Sequence, residues 1–274
     1  MTIPAPGPRS TCLVTGASSG IGAEIARVLA RRGRNVALVA RREPLLRSLA
    51  DELSSTHGIR ADVLPADLTD PDARSGLVDE LAGRGLVVDV LVNNAGLSTM
   101  GPVYRADRSA ELNMIRADVE AVVDMCVLFT PGMASRRRGS VLNTASTAAF
   151  QPLPGQSGYG ACKAFVLSYS LALRAELRPV GVSVTALCPG PVHTGFGEAA
   201  GITDDDAAQA LPKVMWVPVS DVARAAVDGM DRGRDVVIPG LANRVGAFAA
   251  RHAPRGPVLS LVARKHPGLA PPRP

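Results

Sequence analysis

The chain has 274 residues and a mass of 28.4 kDa, enough for one large domain or two small ones, each able to bury a core. At 46% hydrophobic and 20% charged residues it reads as an ordinary globular protein, and with 3% aromatics it is poorly equipped to recognise bases or sugars by stacking. The net charge of +5 is local: residues 241–274 hold six basic side chains and no acid, which leaves 24 basic against 25 acidic in the first 240 residues and speaks against a nucleic-acid-binding face on the body.

Cys12, Cys126, Cys162 and Cys188 stand in unrelated contexts, without the grouping that a metal site or a disulfide framework needs, so buried free thiols and no metal are expected. The opening MTIPAPGPRS lacks the apolar run of a signal peptide, and no stretch reaches the roughly 18 apolar residues of a membrane helix. A cytoplasmic location is the expectation.

In chain order, CLVTG (12–16) reads as a buried strand, followed by a helix over about 20–32. NVALVA (35–40) is a second strand, with a helix near 42–55. ADVLPA (61–66), VDVLVNN (88–94), SVLNTAS (140–146), VSVTALCP (182–189) and DVVIPG (235–240) are further strands. Helical patterns lie near 70–83, 108–133, 157–178 and 219–232. VALVA and VLVNN are apolar on consecutive residues, the mark of strands covered on both faces, so the alternation predicts an α/β fold with a doubly wound parallel sheet of about seven strands, Rossmann-like. One domain is expected over 1–240, with functional residues gathered at the C-terminal ends of the strands.

The first strand runs into TGASSGIG, Thr15 to Gly22. Gly16 suits the tight turn, Gly20 a close approach of backbone to a pyrophosphate, and Gly22 the packing of helix on strand, while Ser18, Ser19 and Ile21 complete a phosphate cradle at the helix start. After the second strand stand Arg41 and Arg42, where an acid would accept from a ribose 2′-hydroxyl. Two guanidiniums instead suit a 2′-phosphate, which predicts NADP over NAD.

YGACK places Tyr159 and Lys163 four residues apart on one helical face, where an ammonium lowers the pKa of a neighbouring phenol. SVLNTAS supplies Ser146 at the end of a strand, a hydroxyl able to bond a substrate oxygen.

TGASSGIG, NNAG (Asn93 to Gly96), Ser146 thirteen residues before Tyr159, YxxxK, and the Pro189–Gly190 pair, in that order, resemble the short-chain dehydrogenase/reductases over about residues 10–240. The resemblance implies an oxidoreductase that moves a hydride between a nicotinamide and a carbonyl or alcohol. It casts Tyr159 as the acid/base, Lys163 as the ribose ligand that tunes it, and Ser146 as the group orienting the carbonyl. It further implies that Asp67 and Leu68 flank the adenine, that Asn94, Ala95 and Gly96 floor the cofactor site, and that Val192 and Thr194 hold the carboxamide. A homodimer or homotetramer through the helices near 108–133 and 157–178 is implied as well.

One position departs from the family pattern. Many members carry an Asn in the helix after NNAG, where this chain has Asp118. A carboxylate only accepts hydrogen bonds, whereas Asn also donates. Either a water relay runs through the backbone carbonyl or Asp118 pairs with Lys163 and holds it charged. The second possibility motivates an alternative function, a nucleotide-binding or sensing protein of this fold with weak turnover.

His193 reads as a loop histidine and Cys162 as a small packing residue. Phe196, Met215 and Trp216 fall in the stretch between the Pro189–Gly190 turn and the last helix, where a substrate lid is expected, which suggests an apolar substrate. In the extension 241–274, Leu241, Val245, Phe248 and Ala249 recur at helical spacing. A helix packed on the domain or on a partner subunit is favoured there over a basic amphipathic element resting on an anionic membrane.

Overall fold

A computed structural model describes residues 3–199 and 212–269. The elements in order are β1 (Ser10–Thr15), α1 (Gly20–Arg31), β2 (Val36–Ala40), α2 (Glu43–His57), β3 (Ala61–Pro65), α3 (Pro71–Gly83), β4 (Val87–Asn93) and α4 (Arg108–Ile115). A wide π-helical turn (Arg116–Glu120) leads into α5 (Ala121–Ser135), β5 (Gly139–Thr144), α6 (Ser157–Leu177), β6 (Val182–Leu187) and the short α7 (Phe196–Ala199). Beyond residue 211 follow α8 (Val219–Asp231), β7 (Val236–Val237), α9 (Leu241–His252) and α10 (Arg255–Lys265).

Among the described residues seven strands form one parallel sheet, ordered β3-β2-β1-β4-β5-β6-β7. Neighbouring residues of one strand serve different layers. Val14 and Leu38 pack with Ile25 and Leu29 of α1, Leu46 of α2 and Met230 of α8. Leu13 and Val39 pack with Leu77 of α3, Met125 and Met133 of α5 and Leu173 of α6. That is why the strands read as unbroken apolar runs. The winding reverses between β1 and β4, and the crevice beyond their C-terminal ends is where such sheets take ligands.

Three elements differ from expectation. The helix near 108–133 is interrupted by the π turn, whose additional residue brings Asp118 fully inside the protein. The last strand shrinks from DVVIPG to Val236–Val237, since it pairs only with β6 at the sheet edge and Pro239 offers no N–H. In the extension α9 does meet the domain, but through Asn243 and Ala247; Leu241, Val245 and Phe248 face outward. Much of the expected lid, residues 200–211, lies outside the described residues.

Candidate active site

The ends of β1 and β4 are fastened by Thr15. Its hydroxyl accepts from the N–H groups of Asn94 (2.9 Å) and Ala95 (3.0 Å) and donates to the Val92 carbonyl (3.2 Å). The turn that follows has no room for side chains. A Cβ on Gly16, whose φ is 64°, would lie 2.9 Å from Ala95 Cα and from Asn94 Nδ2, and one on Gly22 would lie 2.4 Å from the Gly16 carbonyl oxygen. A Cβ on Gly20 would touch Thr194, so the turn after β1 and the loop after β6 meet here. Asn94, Ala95 and Thr194 thus line the crevice beside the glycine turn.

Ser19 caps α1 without a side-chain hydrogen bond to the helix. The hydroxyls of Ser18 and Ser19 instead accept from Arg42 Nη2, at 2.9 and 2.7 Å. The first-turn N–H groups of α1 are left facing the crevice, a setting that favours an anion. Arg41 reaches Asp67 at 3.9 Å and is largely exposed. Burial would raise the Asp67 carboxyl, but hydrogen bonds from the Thr69 N–H and hydroxyl, together with Arg41, outweigh it and hold the pKa low. Leu68 is buried, and its carbonyl accepts from Arg74 at 2.8 Å; Arg74 also pairs with Glu120 at 2.6 Å and with Asp124 at 2.5 Å.

At the other half of the crevice α6 sets Tyr159 and Lys163 one turn apart, with Lys163 Nζ 5.6 Å from the centre of the tyrosine ring. Lys163 is buried; its Nζ donates to the Thr144 carbonyl at 3.3 Å and lies 2.9 Å from Asp118 Oδ2. Asp118 Oδ1 accepts from the Leu97 N–H at 2.7 Å. Of the two alternatives for Asp118, the structure therefore contains the ion pair. Gly96 lies against this pair: a Cβ there would sit 3.0 Å from Asp118 Oδ1 and 3.3 Å from Lys163 Nζ. Ser146 follows β5 in extended backbone; its Oγ accepts from the Ala148 N–H at 3.1 Å, and the hydroxyl is close enough to the Tyr159 phenol to lower its pKa.

The electrostatics run against the simplest expectation. Burial pushes the Tyr159 phenol above its ordinary pKa, Lys163 and Ser146 pull it back only in part, and the Asp118 carboxylate pushes it further up. The lowering by Lys163 is present, but it is not the net effect. For Lys163 itself burial disfavours the charge, yet Asp118 first and then Tyr159 more than offset this, and the pKa is raised. The ammonium stays charged. The neighbouring thiols are inert: burial pushes Cys162 up to about 11 and Cys188 up to about 12.

On the substrate side the Phe196 ring centre stands 6.0 Å from that of Tyr159, and His193 stacks on Trp216 at 4.1 Å. The Thr147 N–H donates to the Pro189 carbonyl at 2.9 Å, joining the loops after β5 and β6. Gly190 rests against Asn243 of α9, and Val192 packs on the layer of α1 and α8. The tail closes the rim. His266 Nε2 lies 3.1 Å from Gln156 Oε1, and Gln156 Nε2 donates to Ser98 Oγ at 2.9 Å. A Cβ on Gly268 would meet Met100 at 2.7 Å and the Gly155 carbonyl at 3.0 Å. Sequence reasoning missed Thr15 as a clamp, the Leu97 amide, Gln156 and His266; Thr15 opens the glycine motif but the other three lie outside any motif, and His266 is 110 residues from its partner.

The model of the family described as short chain dehydrogenase matches residues 10–207. The chain is 37% identical over 222 residues to an NADP-dependent 3-hydroxy acid dehydrogenase, YdfG, of Salmonella typhimurium, covering 75% of this chain and 87% of that protein. It is 38% identical over 184 residues to mouse 17-beta-hydroxysteroid dehydrogenase type 3, covering 66% of this chain. The chain spans only 60% of the length of that relative. Among solved structures, a short-chain dehydrogenase from Sphingobium yanoikuyae in complex with NADPH superposes with a TM-score of 0.79 at 33% identity, covering 96% of this chain and 99% of that one. Fold, strand-end site and sequence agree, and the chain belongs to the short-chain dehydrogenase family.

Proposed function

We propose that the protein is an NADP-dependent oxidoreductase that interconverts a carbonyl and an alcohol, with Tyr159 as the acid/base. The observation that carries the reading is the Ser146–Tyr159–Lys163 cluster, held at the same sheet edge as the Gly16–Gly22 turn. The residues present fit the dinucleotide. The turn leaves backbone free for a pyrophosphate, and the Arg42 guanidinium over Ser18 and Ser19, with Arg41 beside it, forms a donor set suited to a 2′-phosphate. Gly16, Ser18, Ser19, Gly20, Ile21 and Gly22 would hold the phosphates, Asp67 and Leu68 the adenine, and Asn94, Ala95 and Gly96 the floor. Tyr159 and Lys163 would hold the nicotinamide ribose, with Pro189, Gly190, Val192 and Thr194 around the ring.

When bound, the nicotinamide supplies hydride chemistry. The chain's own part is proton handling and orientation. Ser146 donates a hydrogen bond to the substrate oxygen, and Tyr159 gives its proton to that oxygen during reduction or removes one from the alcohol during oxidation. Lys163, kept charged by Asp118, stabilises the phenolate that reduction leaves behind. Phe196 beside Tyr159, with Trp216 close by the Pro189–Gly190 turn, favours an apolar substrate. Assembly into a homo-oligomer is supported by Leu112, Ile115, Val127 and Phe165, exposed on α4, α5 and α6.

The ion pair of Asp118 and Lys163 also favours a second reading, nucleotide binding with slow turnover, because it leaves the phenol harder to ionise. A panel of ketones and alcohols followed by nicotinamide absorbance separates the two. Tyr159→Phe is expected to abolish turnover while NADPH still binds; equal turnover in both proteins would remove Tyr159 from the chemistry. Arg41→Ala combined with Arg42→Ala is expected to lose NADPH affinity at least tenfold more than NADH affinity, on the strength of lost charge-assisted hydrogen bonds of about 1.5–3 kcal/mol each. An unchanged preference would reject the 2′-phosphate site.

A further inference from the structure

Helix α9 is built inside out. Its inward face carries Asn243, which is 1% exposed and donates to the carbonyls of Met215 and Pro239 at 2.9 Å each, together with Ala247 at 4%. Its outward face carries Leu241, Val245 and Phe248, at 70%, 61% and 68% exposure. These three lie at i, i+4 and i+7, one stripe along the helix. Arg244 and Arg251 flank that stripe, and both are exposed. The Lys213–Met215 turn, which Asn243 ties to α9, adds exposed Val214 and Lys213.

We propose that this face docks on an anionic lipid surface, with Leu241, Val245 and Phe248 in the headgroup–acyl boundary and Arg244 and Arg251 on lipid phosphates and carboxylates. Three observations select that occupant. The helix is fixed to the domain by its polar, small face, so the apolar stripe is held outward and is not a frayed core helix. The segment that carries the stripe is charged with one sign: Arg244 and Arg251 flank it, and from Leu241 to the last residue of the sequence there are six cations and no acid. A twofold contact between two copies would set Arg244 and Arg251 against the same arginines with nothing in that segment to neutralise them, whereas an anionic bilayer complements them. The inference is independent of whether Tyr159 turns a substrate over.

Docking would also orient the crevice. α9 lies against the Thr147–Phe150 turn that follows Ser146, and its Asn243 abuts Gly190, so the helix forms part of the rim of the substrate site. A surface-bound molecule would hold that rim close to the lipid.

The test is flotation of the full chain with vesicles of phosphatidylcholine alone and of phosphatidylcholine with phosphatidylserine, at low and high salt. Capture by the serine-containing vesicles, weakened by salt, is expected, with little capture by the neutral ones. Arg244→Ala with Arg251→Ala should lower the partition coefficient roughly 25-fold, about fivefold per cation, and Phe248→Ser should abolish capture. All three side chains are exposed, so thermal melting should be unchanged. Absence of capture, equal capture by both vesicle types, or capture indifferent to these substitutions overturns the proposal. So does self-association in solution that Phe248→Ser breaks without any vesicle binding, which would assign the face to a second copy.

Discussion

Replacing Asp118 by Asn removes one charge from the crevice and turns the atom that faces Lys163 from an acceptor into a donor. The amide keeps an oxygen for the Leu97 N–H, and its shape matches the carboxylate it replaces. The carboxylate is 2.9 Å from the Lys163 ammonium, which is 5.6 Å from the Tyr159 ring centre, so carboxylate and ring are within about 8.5 Å of one another. At an effective dielectric of about 20, a unit charge at that range is worth about 2 kcal/mol. The sign follows from the direction of the effect. Asp118 raises the phenol's pKa, so neutralising it lowers that pKa, and the phenolate that then forms itself supports the Lys163 charge. Alcohol oxidation needs the phenolate and rises with pH to a plateau whose midpoint reports the phenol. In Asp118→Asn that midpoint should move toward acid, with a roughly tenfold gain in kcat/KM on the rising limb. The assay is kcat/KM for NADP-linked oxidation of an alcohol across the pH range in both proteins. A midpoint that stays put, or moves toward alkali, would refute the electrostatic account.

Two further outcomes test the nucleotide half of the crevice. Arg74→Met removes the buried guanidinium that holds the Leu68 carbonyl and ties α3 to α5 through Asp124. A loss of about 2 kcal/mol in urea unfolding is expected, with a higher KM for NADPH, and a loss below about 0.5 kcal/mol would show the network to be ornamental to stability. Gly22→Ala drives a Cβ toward the Gly16 carbonyl at 2.4 Å. It should destabilise the protein by about 1–3 kcal/mol and weaken NADPH binding at least tenfold in fluorescence titration; unchanged affinity would argue against this turn as the phosphate site.

The sheet was legible because each strand must feed two layers: Leu13 and Val14 go to opposite faces, and only an unbroken apolar run satisfies both. The glycine turn was legible because Gly16 and Gly22 admit no side chain, a constraint written directly in residue identity. The π turn was not. Its widened winding depends on what the inward carboxylate meets, and those partners, the Leu97 amide and Lys163, come from other parts of the chain. The orientation of α9 was hidden for a related reason. An apolar stripe at helical spacing ordinarily marks the buried face, and here Asn243 takes that place through two backbone carbonyls that no pattern announces. The contact of His266 with Gln156 is wholly tertiary and left no local trace.

The Leu97 amide, Asp118, Lys163 and the Thr144 carbonyl form one line of two hydrogen bonds and an ion pair between the loop after β4 and the end of β5. The loop after β4, the end of β5, the π turn and α6 are therefore braced against each other before any ligand arrives. A guest entering this half of the crevice meets walls already in position and pays no entropy to assemble them. Its contacts translate into affinity undiminished by an ordering step, and the lysine cannot swing aside to admit a bulkier ribose without dragging the β4 loop with it.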